Sequence, residues 1–179
     1  CACLIGSFRF NLTDILEKHA DSERVFILRD YHSENLLWLP QRQGLKRVGL
    51  LDFQLGQLGQ PAYDLVSLLQ DARRDVLPAT RDESITHFLN LSGHAHADFM
   101  ASFAAFGAQR AARILGLFTR LALMGKPRYI KLMPRVWRQL NENLAHPALL
   151  PLQNFCAKIV PVPTPERLQC FETKCPKTP

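Results

Sequence analysis

Two short apolar runs, Leu36 to Leu39 and Val48 to Leu51, flank a polar break that contains Gly44. This pattern predicts a β-hairpin with a loose connection. Another strand is expected just upstream, over Arg24 to Leu28. Beyond the hairpin, Gly56, Gly59 and Pro61 mark an irregular crossing, and the apolar spacing becomes helical. Pro61 opens a helix to about Asp75, with Leu65, Leu68, Leu69 and Ala72 on one face. Helices are then expected over Arg81 to Leu91, Gly93 to Phe106 and Gly107 to Met124, the last with Arg110, Arg113 and Arg120 exposed. Gly125-Lys126-Pro127 ends that run. Arg128 to Leu144 reads as a helix kinked or restarted at Pro134, and Pro147 to Lys158 as a last short one. At the other end, Asn11 to His19 forms a helix and Asp21-Ser22-Glu23 breaks it, while residues 1–10 carry no usable pattern. From Pro161 onward, Pro163, Pro165, Pro176 and Pro179 predict an extended tail.

These elements give an α+β, mainly helical class, a small hairpin followed by five or six helices. The 179 residues suit one domain with a real core, and 47% apolar with 21% charged residues are ordinary globular values. A net charge of +6 suits an anionic ligand such as a nucleotide. No block of like charge and no interleaving of basic and aromatic residues points to nucleic acid. Five cysteines crowd the two ends without a C-x-x-C pair, which argues for free thiols in a reducing compartment. No run approaches the ~18 apolar residues of a membrane span, so a cytoplasmic protein is expected. The first residue is Cys1 rather than Met, so a processed, truncated or partial sequence is expected.

The hairpin changes this picture, because it would bring Asp30, Asn35 and Asp52 to one end of a single small element. Three oxygen-bearing side chains there suit a hard cation such as Mg²⁺, which takes a few protein oxygens and completes its shell with water and phosphate. The spacing follows a known phosphoryl-transfer apparatus, H-R-D-x-x-x-x-N and then D-F-G. Arg29-Asp30 through Asn35 reproduces the first block with Leu28 in place of His, and Asp52-Phe53-Gln54 stands for the second. Pro61-Ala62-Tyr63-Asp64-Leu65 follows as a third. In this order the blocks resemble the aminoglycoside phosphotransferase family, most closely its bacterial branch of cell-wall amino-sugar kinases. The resemblance runs from about Ser22 to Phe171.

The resemblance implies the C-terminal lobe of the kinase-like fold over residues 22–160. Residues 1–21 would then be an N-terminal remnant or linker helix, and 161–179 a Pro-rich tail. It also implies roles. Asp30 would be the catalytic base toward a sugar hydroxyl, Asn35 and Asp52 would hold Mg²⁺ on ATP, and His32 and Asp64 would brace the loop. Helices of such a lobe wall the acceptor pocket, which makes Tyr129 and Trp137 candidates to pack on a sugar. Upstream of Val25 there are 24 residues, with Gly6 and Lys18 as their one Gly and one Lys. The family's nucleotide-covering lobe, with its Gly-rich loop and strand Lys, is therefore expected to be missing. Gln54, Leu55 and Gln60 depart from the family's pattern and bear on finer metal or substrate preference.

Two other readings compete. A protein kinase lobe is disfavoured by Gln54 and by the lack of an A-P-E element after Asp52. A non-catalytic binding module is favoured by the missing lobe and opposed by the joint presence of Asp30, Asn35 and Asp52. Other features call for no chemistry: His94 and His96 would point about 200° apart on a helix, and Arg73 and Arg74 would answer a helix dipole.

Overall fold

The structure is a computed structural model that describes residues 2–20 and 23–174. Its elements are α1 (Ala2–His19), β1 (Val25–Ile27), β2 (Leu36–Trp38), β3 (Val48–Leu50), β4 (Gln57–Gly59), α2 (Ala62–Leu69), α3 (Pro78–Ser92), α4 (His96–Leu123), α5 (Met133–Leu144), α6 (Leu150–Ile159) and α7 (Pro165–Lys174). The class is α+β and mainly helical, with six α-helices after the hairpin. Strands β2 and β3 pair antiparallel in the register Leu36↔Leu50, Leu37↔Gly49 and Trp38↔Val48. Their connection winds through a 3-10 turn at Gly44–Arg47 that starts on the left-handed Gly44 (φ 54°).

Several expectations need correction. The crossing around Gly56 and Gly59 is a strand, β4, which pairs antiparallel with β1 (Val25↔Gly59). Helix α1 starts at Ala2, not Asn11. Pro78 lies in the first turn of α3 rather than in a loop before it, where its missing N–H costs nothing. The helix from Pro61 stops at Leu69, short of Asp75. Most consequentially, the two helices expected on either side of Gly107 are one 28-residue helix, α4. Gly107 is no breaker there: a Cβ would run into the side chain of Asn143 on α5. Arg110 is buried at 8% exposure, whereas Arg113 and Arg120 are exposed. The tail is extended only over 161–164 before α7 begins; Pro176 and Pro179 lie outside the described residues, as do Asp21 and Ser22.

Helix α4 is the axis of the molecule. Its small residues Ala105, Ala108 and Ala111 are almost wholly buried and let α5 approach closely. One core joins α1, α4, α5 and α6 through Ile15, Ile114, Phe118, Val136, Leu140 and Leu152. A second joins α2, α3 and α4 through Val66, Leu69, Ile85, Phe99 and Phe103. Helix α7 adds Leu168 and Phe171 over Ala122 and Ile130. A reciprocal amide pair crosses the interior, with Gln70 Nε2 donating to Asn143 Oδ1 (3.0 Å) and Asn143 Nδ2 to Gln70 Oε1 (2.8 Å). The two small sheets and the turn between β3 and β4 are different: Phe26, Leu37, Trp38, Phe53 and Leu58 stay exposed there. No helix among the described residues is long and apolar enough to cross a membrane.

Candidate active site

The segment between β1 and β2 is held in an unusual shape. Arg29 has φ 68°, and Asp30 N donates back to the carbonyl of Leu28 at 2.9 Å, a tight γ-turn of the strained, positive-φ kind. Asp64, in the first turn of α2, fixes it. Its carboxylate accepts the N–H of Leu28 at 2.6 Å and of Arg29 at 3.0 Å, so both donors of the turn are spoken for. The Asp30 carboxylate is thereby left partly exposed, with its Oδ1 3.4 Å from His32 Nε2.

His32 is buried, and its ring caps the next 3-10 turn, Ser33–Asn35, by accepting Glu34 N–H at Nδ1 (3.3 Å). An accepting Nδ1 leaves the ring proton on Nε2, the nitrogen that faces Asp30. Asn35 Nδ2 donates to the Asp30 carbonyl at 2.9 Å, leaving the amide oxygen of Asn35 for another partner. The ladder then runs one step past the Leu36↔Leu50 pair, because Leu51 N donates to Asn35 O at 2.9 Å. Asn35 therefore sits beside the Leu51-Asp52 step. Asp52 takes the left-handed conformation (φ 53°), which Asp tolerates better than most residues, and the Gln54 side-chain amide donates to its Oδ1.

Two residues that the sequence did not single out complete the site. Asp71, 1% exposed and just beyond α2, accepts Ser33 Oγ–H at 2.6 Å, Ser33 N–H at 3.2 Å and Arg73 N–H at 2.8 Å. Burial alone would raise its pKa; the bonds from Ser33 and Arg73, with His32 nearby, outweigh it and hold the carboxyl below its ordinary range. Arg73 also pairs with Glu34 (3.0 Å) rather than answering a helix dipole. Arg110 is the second. Its Nε is buried without a hydrogen-bond partner. Burial pulls its guanidinium below the ordinary range; the field of Tyr63 opposes this, that of Arg113 adds to it, and the field of Asp30 and a hydrogen bond with Tyr63 oppose it. A signal for it does exist in the sequence, since Arg110 falls on the helical face marked by Phe103, Gly107 and Ile114.

Of the sugar-packing candidates, Trp137 lines a groove of about 650 Å³ between α1, α4, α5, α6 and α7. Tyr129 instead packs on Phe118 (centroids 5.2 Å apart) beneath Arg128. Among the described residues no hydrogen bond, ion pair or ring contact joins either to Asp30, Asn35 or Asp52. Arg135 and Arg138 are taken up by Asp75, at 2.6 and 2.7 Å. His94, in the loop before α4, stacks against both Phe88 and Phe99 (ring centroids 6.2 and 6.1 Å), which also touch each other, and no group of three or more His, Cys, Asp or Glu among the described residues is placed to hold a metal on its own.

A family model described as the phosphotransferase enzyme family matches residues 4–100, a stretch that contains every residue of the braced loop. The chain belongs to this family. Among curated relatives, the N-acetylmuramate/N-acetylglucosamine kinase of Caulobacter vibrioides is 46% identical over 142 residues, 78% of this chain and 39% of the relative. The like-named protein of Pseudomonas putida is 30% identical over 76% of this chain and 41% of its own length. The chain thus spans about two-fifths of the curated relatives it matches.

The family uses a nucleotide with Mg²⁺, and the donor set fits that ion. The Asn35 amide oxygen and the Asp52 carboxylate are hard oxygen donors, exposed enough to meet a ligand. Mg²⁺ commonly takes one or two carboxylates and leaves its remaining positions to water and substrate phosphates, a demand that Asp52 with the Asn35 amide oxygen would meet.

Proposed function

We propose that this chain forms the catalytic-loop half of an ATP-dependent phosphotransferase whose acceptor is a hydroxyl of an N-acetylated amino sugar. The observation that carries the reading is the gathering of Asp30, Asn35 and Asp52 at one end of the hairpin, on a loop pinned by the carboxylates of Asp64 and Asp71. Asp30 takes the proton of the sugar hydroxyl as its oxygen bonds to the γ-phosphorus and the bond to the β,γ-bridging oxygen breaks, releasing ADP. Asn35 and Asp52 would hold Mg²⁺, which would supply charge neutralisation on the phosphates. His32, through Nε2–H, orients the base. Such chemistry is mostly positioning and electrostatics, which gives a physical use to a strained loop held by buried carboxylates. The intact set of donors favours this reading over a binding module.

The exposed apolar side chains of the two sheets, Phe26, Trp38 and Leu58 among them, would supply a seat for a nucleotide-covering lobe. The free thiols Cys156 and Cys170 suit the cytoplasm, where ATP and sugars released from the cell wall would meet it. The test is a chimera in which this chain replaces the matching segment of the Caulobacter relative, supplied with Mg-ATP and N-acetylmuramate or N-acetylglucosamine. A sugar phosphate seen by ³¹P NMR is the expected product. A folded chimera that binds nucleotide and phosphorylates neither sugar would sink the proposal.

A further inference from the structure

The segment that follows α2, residues 70–75, has no regular secondary structure, yet Asp71 and Ala72 in it are 1% and 4% exposed. Irregular backbone usually stays at the surface, because buried N–H and C=O groups need partners. Here α5 supplies them. Gln139 Nε2 donates to the carbonyl of Asp71 at 3.2 Å, and Arg135 Nη1 donates to that of Ala72 at 3.1 Å. Arg135 also forks onto the Asp75 carboxylate through Nε and Nη2 (2.9 and 2.6 Å), while Asn143 holds Gln70 at the other end of the segment. Arg135, Gln139 and Asn143 are spaced four apart, so one polar stripe of α5 fixes the segment along its length.

The segment in turn grips the turn Ser33–Asn35. Asp71 accepts both the hydroxyl and the N–H of Ser33, and Arg73 pairs with the Glu34 carboxylate at 3.0 Å. Asn35 is the last residue of that turn. Its Nδ2 is held on the Asp30 carbonyl, so the seat of the turn decides where its amide oxygen points. Mg²⁺ asks for near-octahedral geometry at about 2.0–2.1 Å and tolerates a displaced donor poorly.

We infer that Gln139 and Arg135 are positioning residues for Asn35, acting through the 70–75 segment and Ser33 to aim the amide oxygen that would meet the metal. The inference rests on the phosphotransferase reading and deepens it. It extends the support of the site to a helix that, among the described residues, makes no hydrogen bond or ion pair with Asp30, Asn35 or Asp52. Two consequences follow from a linkage in series. Losing a donor on α5 weakens metal binding beyond what general loosening of the fold does, and the losses at Gln139 and Ser33 overlap rather than multiply.

The experiment titrates Mn²⁺, a paramagnetic stand-in for Mg²⁺, into this chain and follows broadening of the Asn35 side-chain amide and the Asp52 backbone amide by ¹H–¹⁵N NMR. The variants are Q139M, R135M, S33A, S33A/Q139M and, as a control, I130V. Ile130 belongs to the small core under α7, which holds no residue of the segment. Arg135 is about a quarter exposed (24%), so R135M keeps the test alive if Q139M does not fold. The expected result is broadening of both signals in wild type, about tenfold more Mn²⁺ needed for Q139M, R135M and S33A, and no change for I130V. The double variant should need no more Mn²⁺ than the weaker of its two parents. Folded Q139M and R135M that match wild type overturn the inference. So do an I130V defect of the same size, multiplying losses in the double variant, and a wild type that Mn²⁺ leaves sharp at Asn35. The chimera separates the two readings. Sugar phosphate made by it keeps the phosphotransferase reading when the Mn²⁺ result fails, and the expected Mn²⁺ result beside an inactive chimera keeps the positioning while that reading falls.

Discussion

Ser33 Oγ donates to Asp71 Oδ2 at 2.6 Å across 38 residues of sequence, tying the loop that carries Asp30 to the segment that follows α2. These hydrogen bonds, rather than any single cation, hold the Asp71 carboxyl below its ordinary range. A carboxyl whose pKa is lowered by folding adds stability that is present above the unfolded-state value and is lost as pH falls through the folded one. D71N should therefore be less stable than wild type by about 1–3 kcal/mol near neutrality. The gap should close as pH falls below the ordinary carboxyl range. Urea midpoints measured from neutral pH down to about pH 3 check this; a gap independent of pH would contradict it.

Asp64 gives a second prediction. Its two hydrogen bonds hold a turn whose central residue, Arg29, sits at φ 68°. D64A should cost about 2–3 kcal/mol, since two bonds to an ionised acceptor are lost and the turn relaxes. The local signature is more telling. Hydrogen exchange at the Leu28 and Arg29 amides should speed up by orders of magnitude more than at the α4 amides, and uniform acceleration would count against the pinning role.

Gly107 gives a third. A methyl there would collide with the Asn143 side chain and disturb its paired bonds with Gln70. G107A should lose about 1–3 kcal/mol despite the better helix propensity of alanine. The double variant G107A/N143A should be more stable than the sum of the single losses predicts, which thermal melts would show as a positive coupling. Strict additivity would place the damage elsewhere.

How far the sequence reached depends on the range of the interactions. The hairpin was legible because apolar runs and a Gly-containing break are local signals, and its register then brought Asn35 beside Asp52. Strand β4 was not, since Gln57–Gly59 is three residues long and polar at one end, and its partner β1 lies some thirty residues away. Gly107 reads as a helix boundary in isolation; only α5 arriving at Asn143 explains a glycine in mid-helix. Asp71 resembles any loop aspartate until Ser33 is placed on it. The bracing carboxylate at Asp64 came from a motif and Asp71 needed coordinates, while the burial of Arg110 was signalled only by its place on the Phe103–Gly107–Ile114 face. Proline misled twice in the same way: Pro78 and Pro165 lie in first turns of helices, where proline is welcome, rather than marking loop and tail.

The central claim is that Asp30 acts as the base of a phosphotransfer, and D30N in the chimera tests it most directly. Substituting the amide removes the proton acceptor while nearly preserving size, and the loop's backbone bonds to Asp64 and Asp71 do not use the Asp30 side chain. The account predicts that D30N melts within a degree or two of wild type, still binds Mg-ATP, and transfers phosphate to the amino sugar about 10²–10⁴ times more slowly. Turnover by D30N at the wild-type rate would contradict it.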